Sequence, residues 1–228
     1  MQFCGREGCD GLVAVGGGGS IDLAKGVAIA AKHDGPLVGY ATIEGGSPKI
    51  TAAVPPLIAE PTAGAGSEVA RGAIVIVDDG RKLGLHSWHL MPKAALLEPA
   101  LTLGLPPLLT AATGMDAIAH CTETFMAPAV NPPANGIALD GLARGWSHIE
   151  RATNNGQDRA ARLNMMSPSM QGAKAFQKGQ GCVHSLSHSL GSVNPRLHHV
   201  TLNACSIQRS FVSTPPLRRS RWSSGCSE

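Results

Sequence analysis

Leu12-Val13-Ala14-Val15-Gly16-Gly17-Gly18-Gly19-Ser20-Ile21-Asp22 is the stretch on which the fold turns. Four apolar residues run into four glycines, and from Ser20 to Lys32 apolar and polar positions alternate at helical spacing. This pattern predicts a strand, a glycine turn and a helix. Glycines lack Cβ and let the backbone come close to a phosphate. The helix start adds free N–H groups and the positive end of its dipole. The loop is therefore a candidate pyrophosphate cradle, with a plain strand-to-helix connector as the simpler alternative. Asp22 is either a cofactor contact or a first-turn acid favoured by the helix dipole.

Outward from this loop, short apolar runs at Pro56–Ala59, Ala73–Val77 and Ala94–Leu97 predict further buried strands of an α/β sheet. A second loop of small residues, Pro61-Thr62-Ala63-Gly64-Ala65-Gly66-Ser67-Glu68, follows the first of these. It could cover the other side of a cofactor, with Thr62 and Ser67 as hydrogen-bond donors, or be a turn before a helix capped by Ser67. Near Leu105 the character changes. Pro106-Pro107 opens a stretch of helical periodicity, with candidate helices over about 108–126, 133–152 and 159–178 and a fourth starting near Cys182. The expected organisation is a partial α/β domain over 1–105 that carries the candidate dinucleotide loop, then a partial all-helical domain over 106–204. A tail over 205–228, rich in Ser, Arg and Pro, is expected to be aberrant or disordered and to form no helix that buries a face. A low-complexity tail and a truncated or frame-shifted product are the two readings of this stretch.

Composition narrows the function. Hydrophobic residues make up 43% and charged residues 15%, a globular balance that a core of Ala, Leu, Val and Ile can satisfy. The net charge of +3 sits in the tail, where Arg209, Arg218, Arg219 and Arg221 face Glu228 alone. The body is balanced, so no basic face for nucleic acid is implied. No apolar run reaches the length of a spanning helix, about 20 residues. The six cysteines are scattered without a C-x-x-C pair, which suits a reducing compartment. A cytoplasmic protein is expected, with no nucleic-acid or membrane partner and with homo-oligomers allowed.

The most specific chemistry lies in two separated pieces. In Gly114-Met115-Asp116-Ala117-Ile118-Ala119-His120, Asp116 and His120 stand four residues apart and share a helical face. Alone, such a pair is more often a surface salt bridge. Gly181–Ala204 then reads GCVHSLSHSLGSVNPRLHHVTLNA, with His184, His188, His198 and His199. A carboxylate with three imidazoles suits divalent Fe or Zn and leaves room for a substrate oxygen.

Taken in order, the glycine loop, P-T-x-G-x-G-S-E, D-A-x-x-H, V-H-x-x-x-H-x-x-G and a histidine before L-N-A resemble the group III, iron-containing alcohol dehydrogenases. The likeness covers about Asp10 to Ala204, and Met91–Thr102 resembles the family's segment between its two domains. It implies the dehydroquinate synthase-like architecture and hydride transfer between an alcohol, aldehyde or ketone and NAD or NADP, assisted by Fe²⁺ or Zn²⁺ as a Lewis acid. It also implies site residues. Asp116, His120 and His184 match metal ligands. The fourth ligand is His199 when counted from L-N-A and His198 when counted from His184, and His199 is preferred. His188 matches a residue near nicotinamide and substrate and is the catalytic candidate. Gly17, Gly18, Gly19 and Ser20 match the pyrophosphate loop, and Thr62 and Lys82 match cofactor contacts. Gly19, Ala65, Gln180 and Val200 depart from the family's usual residues. Family members also extend further at both ends, so an inactive truncated fragment is the alternative, as is a glycerol dehydrogenase or dehydroquinate synthase relative.

Overall fold

The structure is a computed structural model that describes residues 8–213 apart from 65, 78, 79, 180, 195, 196 and 198. The side chains of 188, 192 and 208–213 lie outside that description. Three parallel strands form the first layer: β1 (Leu12–Gly16), β2 (Leu57–Pro61) and β5 (Ala94–Ala95), with β2 in the centre. The β1–β2 register pairs Leu12 with Leu57 and Gly16 with Pro61, so the glycine loop and the second loop leave the sheet side by side. Helix α1 (Gly18–Lys32) crosses one face of the sheet, where Ile21 and Ala24 pack on Ala14, Leu57 and Ala59. On the other face Val13 and Val15 are exposed, as the period-2 alternation of a strand requires.

The opposite side of α1 carries a second core. Strands β3 (Gly72–Ile76) and β4 (Lys82–His86) form an antiparallel ribbon. Ala73, Val75, Leu83 and Leu85 point inward from it and meet Ile29, Ala41, Ile50 and Leu90. This corrects the expectation that Ala73–Val77 is a strand of the main sheet. Its partner is β4, which has no continuous apolar run because Lys82-Leu83-Gly84-Leu85-His86 alternates instead. Ser67–Val69 makes a single 3-10 turn after Gly66, so Ser67 caps no helix.

After Leu105 the chain is helical: α2 (Pro107–Met126), α3 (Pro132–Asn154), α4 (Arg159–Ala175), α5 (Cys182–Val193) and α6 (His199–Ser213). Their starts are marked chemically. Pro107 and Pro132 sit in first turns, Asn131 caps α3 through Ala134 N–H at 3.2 Å, and Asp158 caps α4 through Ala161 N–H at 2.9 Å. Small residues let α2, α3 and α4 approach closely: a Cβ on Gly141 would lie 2.7 Å from Cys121 Sγ. The buried guanidinium of Arg162 on α4 ties down the junction, donating to Leu105 O (3.1 Å), Gly156 O (2.9 Å) and Thr110 Oγ1 (2.6 Å).

The expectation that no helix buries a face after Cys205 is corrected over residues 205–213. Helix α6 continues from His199 through Ser213, and Ile207 is buried against Ile118, Ala119 and Val183. His199, Asn203 and Ile207 stand four apart and form one helical stripe. Two of its three members are polar, so the stripe carries no apolar periodicity in the sequence. Residues 214–228 lie outside the described residues.

Candidate active site

Sequence places the glycine loop where β1 hands over to α1. Gly16 has φ +148°, and a Cβ there would lie 2.6 Å from Ser20 Oγ, so the turn needs glycine. Gly16 O accepts from Thr62 N–H at 3.0 Å, which ties the two loops together. Gly17 is the N-cap of α1, and the carbonyl of Gly17 accepts from the Ser20 and Ile21 amides at 3.0 and 3.2 Å. An added Cβ on Gly17 or Gly19 would meet open space. Beside it are the free amides of a first helical turn, Gly18 and Gly19, and the exposed Ser20 side chain. This is a space that an anionic phosphate group fits.

Beneath the loops lies a buried charge network. Lys25 is fully buried, and its Nζ donates to Ser67 O (2.7 Å), Ser67 Oγ (3.2 Å), Ala70 O (2.8 Å) and Gly72 O (2.7 Å). Ser67 Oγ in turn donates to Asp22 Oδ1, and Ile74 N–H donates to Asp22 Oδ2 at 2.8 Å. Burial pulls the Lys25 ammonium down to about 8 against the opposing pull of Asp22 and Glu68. Burial also pushes the Asp22 and Glu68 carboxyls up. Asp22 and Ser67, which the sequence suggests for the cofactor, link α1, the second loop and β3 in this structure. The sequence reading missed Lys25, although it lies three residues after Asp22 on the same helical face.

The second loop also touches the helical part. Gly66, at φ +77°, lies so close to α4 that a Cβ there would be 2.4 Å from the Cβ of Ala173. Thr62 is half-buried beside Gly16. Lys82, exposed at the start of β4, reaches toward α5: its Nζ lies 3.9 Å from the position a Gly191 Cβ would take.

On the helical side, Asp116 and His120 of α2 meet His184 of α5. One ligand atom from each lies within 4.8 Å of the others, and all three residues are buried. The His120 and His184 rings stack with centroids 4.3 Å apart, and His184 Nε2 is 3.6 Å from Asp116 Oδ1. Burial opposes the charge on Asp116. The His120 charge, the His184 imidazole beside it and a hydrogen bond from Asn203 overcome it and hold the carboxyl well below its usual range. Burial likewise opposes the His184 imidazolium, but Asp116 and Glu123 raise it to about 9. An ionised carboxylate and two imidazoles in a water-poor pocket are a donor set that fits a divalent Fe or Zn ion.

His199 comes beside this cluster, with its ring centroid 5.6 Å from that of His184. Its Nδ1 meets Ser187 Oγ at 3.0 Å and its Nε2 meets the Asn203 amide at 3.1 Å. The same amide donates to Asp116 Oδ1 at 2.5 Å. Among the described residues the close cluster is thus Asp116, His120 and His184, with His199 one contact away through Asn203. The side chain of His188 and the whole of His198 lie outside the described residues. The sequence reading also missed Glu123 and Asn203. Glu123 continues the Asp116/His120 face at the next helical step, seven residues after Asp116, and its carboxylate contacts His184.

Residues 1–99 match the family model described as iron-containing alcohol dehydrogenase, and residues 110–210 match that of the family's C-terminal part. The chain belongs to the iron-containing alcohol dehydrogenase family. Within this family it is 74% identical over 204 residues to a 4-hydroxybutyrate dehydrogenase of Cupriavidus necator, spanning 87% of this chain and 53% of that protein. It is 36% identical to a 1,3-propanediol dehydrogenase of Klebsiella pneumoniae, over 86% of this chain and 50% of the relative. Among solved structures, the sulfoacetaldehyde reductase of Bifidobacterium kashiwanohense in complex with NAD+ superposes with a TM-score of 0.83 at 25% identity. That match covers 90% of this chain and 55% of the other. The chain spans about half the length of the curated relatives it matches. Among the described residues no helix is long and apolar enough to cross a membrane.

Proposed function

We propose that this chain carries the cofactor cradle and metal centre of an NAD(P)-dependent, metal-assisted alcohol dehydrogenase. The observation that carries this reading is the convergence of Asp116, His120 and His184, from two helices distant in sequence, on one buried point. Residues 1–105 hold the dinucleotide and residues 106–204 hold the ion. When bound, the ion supplies Lewis acidity toward an alcohol oxygen and NAD(P) supplies the hydride acceptor. The protein's own contribution is positional. Gly17, Gly18, Gly19 and Ser20 cradle the pyrophosphate. Thr62 and Lys82 line the cofactor's path from the second loop and the ribbon. Asp116, His120 and His184 hold Fe²⁺ or Zn²⁺ away from bulk water, with His199 completing the set by exchanging Asn203 for the ion. His188 orients the substrate or relays its proton.

The substrate class follows from the relative at 74% identity, named a 4-hydroxybutyrate dehydrogenase. A short hydroxy acid with a terminal alcohol, or the matching aldehyde, is the proposed substrate. Two experiments test the reading. Metal analysis after loading the purified chain with Zn²⁺ is expected to find the ion in wild type and to lose it in His184→Ala. Calorimetric titration with NAD⁺ and NADP⁺ is expected to detect binding that Gly17→Val abolishes. Equal metal content in wild type and His184→Ala removes His184 from the centre.

A further inference from the structure

Glu123 lies outside the cluster, yet it is a buried carboxylate aimed at it. It stands on α2 at 4% exposure, one helical turn past His120. Its Oε1 accepts from Val183 N–H at 2.7 Å. Its Oε2 accepts from His184 N–H at 3.4 Å and from His184 Nδ1. Helix α5 begins at Cys182, and its N-cap, Gly181, offers no side-chain cap. Glu123 therefore serves from a neighbouring helix as the cap for the second and third residues of α5. Gly181 makes room for it, since a Cβ there would lie 2.5 Å from Glu123 Oε1.

The same carboxylate decides which ring nitrogen of His184 faces the cluster. An ionised carboxylate only accepts hydrogen bonds, so the Nδ1 that meets Glu123 must carry hydrogen. The other nitrogen, Nε2, is the one directed at Asp116. A ligand imidazole needs its lone pair on the nitrogen that faces the ion, and the hydrogen bond at the far nitrogen selects that tautomer.

We propose that Glu123 is the positioning residue of the metal centre: it anchors the start of α5 and fixes the His184 ring with Nδ1–H held and Nε2 presented to the ion. This rests on the reading that Asp116, His120 and His184 hold the ion. Glu123→Gln separates the two roles of the carboxylate. The Gln carbonyl can still accept from Val183 N–H, and that leaves its NH₂ facing His184 Nδ1. A donor there favours hydrogen on Nε2, the nitrogen the ion needs.

The test is a Zn²⁺ titration against a competing chelator on metal-free wild type and E123Q, with melting temperatures of both metal-free forms. Wild type is expected to bind. E123Q is expected to bind about 10–100-fold more weakly, the range for lost outer partners of metal ligands. A helix cap alone would lower the melting temperature and leave the affinity of the folded protein unchanged. Wild-type binding together with equal binding by E123Q overturns the role of Glu123 and spares the metal centre. No binding by wild type overturns both. If E123Q does not fold, ¹⁵N NMR of imidazole nitrogens in the Zn²⁺-loaded wild type decides the matter. A His184 signal with hydrogen on Nδ1 and the ion on Nε2 supports the proposal, and the ion on Nδ1 overturns it.

Discussion

Gly172 touches no ligand atom, yet it sets how closely α4 can approach His120. A Cβ placed on it would lie 2.7 Å from the Cβ of His120, 3.2 Å from Cys121 Sγ and 3.3 Å from Cys121 N. The His120 Cβ is fixed to its backbone and the Cys121 nitrogen is backbone, so neither can swing aside. Gly172→Ala must therefore push α2 and α4 apart. Two effects compete. Alanine in a helix interior is favoured over glycine by about 1 kcal/mol. Overpacking a well-filled interface costs about 1–3 kcal/mol, and contacts this short fall at the upper end. The steric effect wins, with a net loss of about 1–2 kcal/mol, which lowers the melting temperature by about 2–4 °C per kcal/mol at this chain length. The second consequence is at the site, because the displaced atom belongs to His120. Zn²⁺ affinity is expected to fall several-fold without any ligand being removed. Gly136→Ala is the control: it lies exposed in α3 with nothing within 4 Å of the added carbon, so melting should stay level or rise. Thermal melts of the metal-free proteins and a competitive Zn²⁺ titration read both effects. If G172A melts no lower than wild type and binds Zn²⁺ equally well, the close packing of α2 on α4 behind His120 is refuted.

Three further outcomes follow from named contacts. Gly66→Ala combines a left-handed backbone at φ +77° with a Cβ 2.4 Å from that of Ala173. It should destabilise by about 2–4 kcal/mol in denaturant unfolding, and a loss under 1 kcal/mol would mean that the second loop does not rest on α4. Lys25→Met removes the cation that Ser67, Ala70 and Gly72 carbonyls share and leaves the half-buried Asp22 without it. A loss of about 3–5 kcal/mol is expected, together with weaker NAD(P) binding, and wild-type stability would show that the network is not what joins the loops. The His184 imidazole is raised to about 9 by Asp116 and Glu123 against burial. A raised folded value contributes stability to the metal-free protein that is complete below the ordinary histidine range and lost as pH climbs through about 9. An ion must displace that proton, so apparent Zn²⁺ affinity should rise by about tenfold per pH unit between neutrality and about pH 9. A flat profile would show that His184 gives up no proton to the ion.

Much of the molecule was legible in the chain itself, because the signals were local. The run Leu12–Val15 before four glycines encodes a strand, a turn and a helix through the absence of Cβ atoms and the change of period from 2 to 3.6. Pro107, Pro132 and Asp158 mark helix starts through chemistry that acts within one turn. Asp116 and His120 share a face by spacing alone, and the order of the motifs carried the family. Tertiary structure decided what depends on partners far away in sequence. It joined β3 to β4 and not to the main sheet, and it turned Asp22 and Ser67 toward Lys25. It extended α6 past Cys205 so that Ile207 could bury itself, and it put Asn203 between His199 and Asp116. It also revealed Glu123 as the group that holds His184. The physical reason is one of range. Propensity, capping and periodicity act within a few residues, whereas burial and hydrogen bonding of a polar group are settled only by whatever the rest of the fold brings against it.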